Sequence, residues 1–196
     1  MQKCILLTGF EPFGGRQLNQ SFESIKDLQG QEINEYLIIV QQLPVVWQEA
    51  ANIVIKSIKK YSPMAVVMFG EASSSEFIRL EQRAVNKRAN YQDNLSNFPP
   101  SLIINESPDA SFELFSTLNL QNIYNSLINI YPVEYSNTAG EYLCNETFYK
   151  VLNTDSAQIK GFIHVPTSPQ FNLPLAIKIV VSKIAADLSD PNSSIK

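Results

Sequence analysis

Short apolar or β-branched runs bounded by turn residues alternate with segments of helical periodicity along most of this chain, the pattern of βαβ units in an α/β sheet. The runs that read as strands are residues 4–7, 36–40, 65–69, 77–81 and 162–165. Trp47, Ala51, Val54, Ile58 and Tyr61 recur at steps of four and three and put an apolar stripe on one helix. Ile177, Val181, Ile184 and Leu188 do the same near the C-terminus, with Asn172 as cap and Pro174 in the first turn. A weaker helix through Ile123, Leu127 and Ile130 must stop before Pro132. Residues 87–117 carry Asn90, Asn94, Asn97, Pro99, Pro100 and Pro108 without a clean period, and read as a long surface excursion or flap. At 196 residues, without repeats or low-complexity tracts, the chain fits one domain over 1–190 and a frayed tail at 191–196.

Composition excludes several functions. Fifteen Lys plus Arg against nineteen Asp plus Glu leave a net charge of −4, which offers no electrostatic footprint for nucleic acid or anionic lipid. No apolar stretch approaches the roughly 20 residues of a membrane span, and the first residues lack the apolar core of a signal peptide. The chemistry-bearing residues are scarce: two cysteines, Cys4 and Cys144, and one histidine, His164. That is too few for an ordinary zinc site or a disulfide framework, so no metal is expected and the protein is expected in the reducing cytoplasm.

Four segments hold candidate chemistry. In the loop Thr8-Gly9-Phe10-Glu11-Pro12-Phe13-Gly14-Gly15, Glu11 and the absence of a following lysine argue against phosphate binding. Phe10 and Phe13 either wall an apolar pocket at the carboxyl end of the sheet or pack in the core. In residues 138–149 two registers compete. Thr138 with Glu141 fits a capping box and makes Cys144 a packing residue, the simpler reading of this segment alone. A helix beginning near 143–145 instead brings the thiol to the positive end of the dipole and makes it a nucleophile. His164, near the end of an apolar strand, is a structural residue unless a cysteine nucleophile needs it, and it is the one imidazole able to serve as base. As a strand, residues 77–81 put Phe77, Arg79 and Glu81 on one face, where Glu81 is either a solvated charge or the carboxylate that orients an imidazole.

Together these segments resemble the pyroglutamyl peptidase I family of cysteine peptidases. The likeness runs in order along nearly the whole chain: residues 8–15; Asn19, Ser21 and Glu23; the Leu43 to Trp47 run; Gly70-Glu71-Ala72; Glu81 with Ala84-Val85-Asn86; Asp93-Asn94; Ala139-Gly140 with Tyr142-Leu143-Cys144-Asn145; and Phe162-Ile163-His164-Val165-Pro166. The resemblance implies a three-layer α/β/α sandwich around a twisted mixed sheet. It implies Cys144 as nucleophile, His164 as general base and Glu81 as orienting carboxylate, with no cofactor. Phe10, Phe13, Asn19, Glu71 and Tyr142 match the family's substrate-binding positions. The implied substrates are peptides or proteins with an N-terminal pyroglutamate, and a homo-oligomer, dimer or tetramer, is compatible with the family. Alternatives are a catalytically impaired pyroglutamyl-binding homologue, or an amidase for another small N-blocked substrate.

The chain departs from the family pattern beside the site. Ser73-Ser74-Ser75 stands where the family usually has Gly-Gly-Arg, and Gln20 where it has proline. The stretch after Asn86 is one residue shorter and reads Arg88-Ala89-Asn90-Tyr91-Gln92-Asp93-Asn94. A family arginine flanking the oxyanion site therefore aligns with Asn90, and Arg88 is the cation that could reach over in its place.

Overall fold

The computed structural model describes residues 2–73, 75–154 and 159–190. The expected tail at 191–196 lies outside them, as does Ser74. Strand β1 (Cys4–Phe10) is buried along its whole length, as a strand covered on both faces must be. β2 (Glu32–Ile33), β3 (Tyr36–Leu43), β4 (Ala65–Ala72), β5 (Ile78–Glu81), β8 (Val133–Ser136) and β9 (Ile159–Pro166) join it in the order β2-β3-β1-β4-β9-β5-β8. The centre β3-β1-β4-β9 is parallel, β5 runs antiparallel to β9, and β2 pairs antiparallel at the opposite edge. The sheet is thus mixed.

Side-chain alternation divides the core into two layers. Ile5, Leu7, Val67, Phe69, Leu80 and Ile163 pack with α3 (Leu120–Leu127) and α5 (Leu173–Ser189) on one face. Leu6, Phe10, Val66, Met68 and Phe162 pack with α2 (Glu49–Tyr61) and α4 (Leu143–Leu152) on the other. The expected α/β/α sandwich follows. A short α1 (Gln20–Glu23) seats the chain after β1, and Gly9 permits this, because a Cβ there would stand 2.4 Å from the Ser21 carbonyl oxygen. No helix among the described residues is long and apolar enough to cross a membrane.

Several sequence expectations shift at their edges. Trp47 falls before α2, because Gln48 takes φ +64° and ends the regular stripe there. Ile130 lies beyond α3 and is exposed. Asn172 caps α5 as expected, its side-chain oxygen accepting from the Leu175 N–H at 3.1 Å. The flap at 87–117 leaves the body through an antiparallel pair, β6 (Arg83–Val85) with β7 (Glu113–Phe115).

Candidate active site

Cys144 sits in the first turn of α4, with Tyr142 in extended conformation as the N-cap. This is the second of the two registers. The capping box does not form because Gly140 adopts φ +76° and the Thr138 hydroxyl accepts from the Gly140 N–H at 3.2 Å, while Glu141 turns outward toward Lys87. Cys144 is therefore a partly exposed pocket residue rather than a packing residue. Its N–H is among the first four of the helix, which have no partner within it, and the helix dipole favours negative charge there.

His164 lies near the end of β9, directly across from Gly70 of β4 and from Arg79 of β5. Glu81 is two residues along β5 on the same face, fully buried, and its Oε1 meets His164 Nδ1 at 2.8 Å. That contact leaves Nε2 for the thiol side. Burial opposes a charge on the ring, but hydrogen bonding to Cys144 and Glu81 and the attraction of both outweigh it and raise the pKa of His164 to about 9. Glu81 Oε2 has no hydrogen-bond partner among the described residues, so its carboxylate is committed to the imidazole alone. The Phe162 ring packs 4.9 Å from the imidazole.

A cavity of about 330 Å³ opens in front of these groups, walled by Phe10, Phe13, Val45, Ala139 and Tyr142. Phe10 serves both readings, since it belongs to the core cluster and lines the cavity. The Arg16 guanidinium lies 4.8 Å from the Phe13 ring centroid and pairs with the buried Glu71 carboxylate, whose other oxygen accepts from the Gln20 N–H at 2.7 Å. Glu71 thereby ties β4 to the loop that carries the two phenylalanines. Asn19 is a support of the same kind: its oxygen accepts from Ser21 N–H and Oγ–H, and its amide donates to the Glu11 carbonyl at 2.9 Å. The Tyr142 hydroxyl donates to the Gln92 carbonyl at 2.8 Å. Burial first, then the charge of Asp93, pushes its phenol up to about 12 and keeps it a neutral donor.

The residues that hold the flap on this pocket stand in the sequence motifs, but their partners are not legible there. Arg88 does not reach the thiol; it is buried, pairs with Glu146 at 2.7 Å and donates to the Ser101 carbonyl. Asn90 is an exposed neutral amide, and with Arg88 paired elsewhere neither position supplies a cation beside Cys144. Asn145 accepts from the Val85 N–H and donates to the Val85 and Lys87 carbonyls, fastening α4 to the start of the flap. Trp47 packs edge-on against Tyr142 at 5.0 Å and donates its indole N–H to the Tyr91 carbonyl. Glu11 accepts from the Val45 N–H and from Asn94, so its charge is spent within the protein. The signal for these groups was present only as short motifs without a visible partner.

Gly70 marks how tightly the thiol is seated. A Cβ there would lie 2.8 Å from Cys144 Sγ and 2.7 Å from the Phe162 ring. Gly70→Ala should therefore displace the sulfur and lower kcat/KM on the order of 10²-fold, as ångström-scale misplacement of a reacting atom does. Steady-state kinetics on the folded variant checks this, and unchanged kcat/KM would show that the thiol has room to move.

A thiol at a helix N-terminus, an imidazole beside it and a buried carboxylate behind the ring, carried on an α/β/α sandwich, define a cysteine hydrolase. A family model described as pyroglutamyl peptidase matches residues 3–183, and the chain belongs to that family of cysteine peptidases. A pyrrolidone-carboxylate peptidase of Coprothermobacter proteolyticus is 34% identical across 94% of this chain and 95% of its own. The crystal structure of pyroglutamyl peptidase I from Bacillus amyloliquefaciens superposes with a TM-score of 0.85 at 30% identity, covering 94% of this chain and 96% of that one. Pyrrolidone carboxyl peptidase from Pyrococcus furiosus gives 0.86 at 29% identity, covering 94% and 99%.

Proposed function

We propose that this protein removes an N-terminal pyroglutamyl residue from peptides, with Cys144 as nucleophile, His164 as acid and base, and Glu81 as the group that orients the ring. The observation that carries the roles is the 2.8 Å contact of Glu81 with His164 Nδ1, on a ring whose charged form Cys144 also stabilises. His164 takes the thiol proton. Cys144 Sγ then attacks the pyroglutamyl acyl carbon, and the carbonyl oxygen gains a charge that the Cys144 N–H and the α4 dipole face. As the C–N bond breaks, His164 gives the proton to the departing amine and a thioester remains. Water attacks the thioester, His164 accepts its proton, and the C–S bond breaks to release pyroglutamate.

The substrate reading rests on the pocket wall. Pyroglutamate is a neutral lactam with one N–H and one carbonyl, suited to flat aromatic walls such as Phe10, Phe13 and Tyr142 with a few polar partners. An unblocked N-terminus would carry an ammonium ion into that wall, and its desolvation opposes binding. Residues 1–190 then act as one catalytic domain, and an enzyme dependent on a free thiol fits the cytoplasm. Purified protein should release fluorophore from pyroglutamyl-aminomethylcoumarin and leave glutaminyl-aminomethylcoumarin intact. Equal turnover of both, or of neither by folded protein, would contradict the proposal.

A further inference from the structure

The sheet order lays the pocket out as a line. Phe10 ends β1, Gly70 beneath the thiol lies on β4, His164 is on β9 and Arg79 is on β5, in the order β1-β4-β9-β5. With strands about 4.8 Å apart, Phe10 and Arg79 stand about 14 Å from one another with the reacting groups between them. On the pyroglutamyl reading the lactam fills the aromatic end over β1. The amine that His164 protonates must then leave on the other side of the ring, toward β5.

Arg79 is what it meets there. It is paired directly with His164 across the β5–β9 ladder, shares the face of Glu81, and lines the cavity with Cys144. Its Nε–H donates to Glu134 Oε1 at 2.7 Å, which fixes the plane of the guanidinium from β8. The two terminal NH2 groups have no hydrogen-bond partner among the described residues, and the side chain is 35% exposed. An oriented guanidinium with its outer edge open is a fork for one carboxylate. The reach is suitable, because the α-carboxylate carbon of an amino acid lies about 2.5 Å from its own nitrogen.

We propose that Arg79 is a specificity-determining residue on the leaving-group side, binding a carboxylate carried by the residue that follows pyroglutamate. This rests on the pyroglutamyl peptidase reading and adds to it a preference among peptides. The carboxylate comes either from the free C-terminus of a pyroglutamyl dipeptide or from an acidic side chain, and both present the same group to the fork.

The test compares kcat/KM for pyroglutamyl-alanine amide, pyroglutamyl-alanine free acid, pyroglutamyl-aspartic acid amide and pyroglutamyl-lysine amide, with free amine product quantified. At low salt the free acid, the aspartyl amide or both should exceed the alanine amide by about tenfold, with the lysine amide below it, and salt should shrink the gap. The favoured substrate identifies the source of the carboxylate. Arg79→Gln should bring the charged-to-neutral ratio to within about twofold of one, and Arg79→Lys should retain part of it. Turnover of the alanine amide with no preference in the native enzyme, or the same ratio in Arg79→Gln, overturns this proposal alone. No turnover of any of the four overturns the peptidase reading and this proposal with it.

Discussion

Cys144→Ala should reduce hydrolysis of pyroglutamyl amides by at least about 10⁴-fold in kcat/KM while leaving the fold intact. The expectation follows from what the side chain touches. Cys144 is partly exposed and lines the cavity, so removing its sulfur leaves no closed void in the core. The chain has no substitute nucleophile of the same kind nearby. Cys4 is buried in β1, its thiol pushed up by burial and turned to the Tyr61 carbonyl at 3.5 Å. Iodoacetamide near neutral pH should accordingly modify Cys144, spare Cys4 and inactivate the enzyme in step with Cys144 modification. Retained activity in the alanine variant would assign the chemistry elsewhere.

Glu81→Gln should cost on the order of 10³-fold in kcat and also move the pH profile. The amide keeps the shape of the carboxylate, but it carries no charge for the imidazolium and can offer the ring a donor in the wrong orientation. In the native enzyme His164 holds its proton up to about pH 9, against 6.5 for an unperturbed imidazole. With His164 in the proposed role of acid for the leaving amine, kcat/KM should fall as pH rises through about 9. Removing the Glu81 charge takes away one of the contributions that raise this pKa, so the alkaline limb should move to lower pH. The same shift has a sign for stability. The folded protein binds the proton more tightly than the unfolded chain, so this stabilisation is complete below about pH 6.5 and is lost as pH rises through about 9. A Glu81→Gln profile that superposes on the native one after scaling would mean that Glu81 packs beside His164 without acting on it.

The sheet and its two helical layers were largely readable because buried strands and amphipathic helices carry their own periodicity. β1, β3, β4, β5 and β9 all fall where apolar runs occur, with edges off by one to three residues because polar ends such as Gln41 and Gln42 still sit in the ladder. β8 has four residues immediately after Pro132, too few to show a period, and β6 and β7 exist only as each other's partner. The start of α4 was ambiguous for a local reason. Thr138 and Glu141 have the spacing of a capping box, and only the left-handed turn at Gly140 decides against it. Cys144, His164 and Glu81 were recognisable through motifs far apart in sequence, whereas their convergence depends on the antiparallel placement of β5 beside β9. Arg88, expected to reach over toward the oxyanion site, instead pairs with Glu146, because nothing in the sequence names a partner 58 residues away.

In the proposed mechanism Cys144 carries the acyl group between two half-reactions. Acid quenching during turnover of a pyroglutamyl ester or amide, followed by intact-mass and peptide mass spectrometry, tests it directly. The expected result is a mass increase of one pyroglutamyl group, confined to the peptide containing Cys144, removed by hydroxylamine and absent in Cys144→Ala. Product formation with an adduct on another residue, or with none under conditions where thioester hydrolysis has been made rate-limiting, would contradict it.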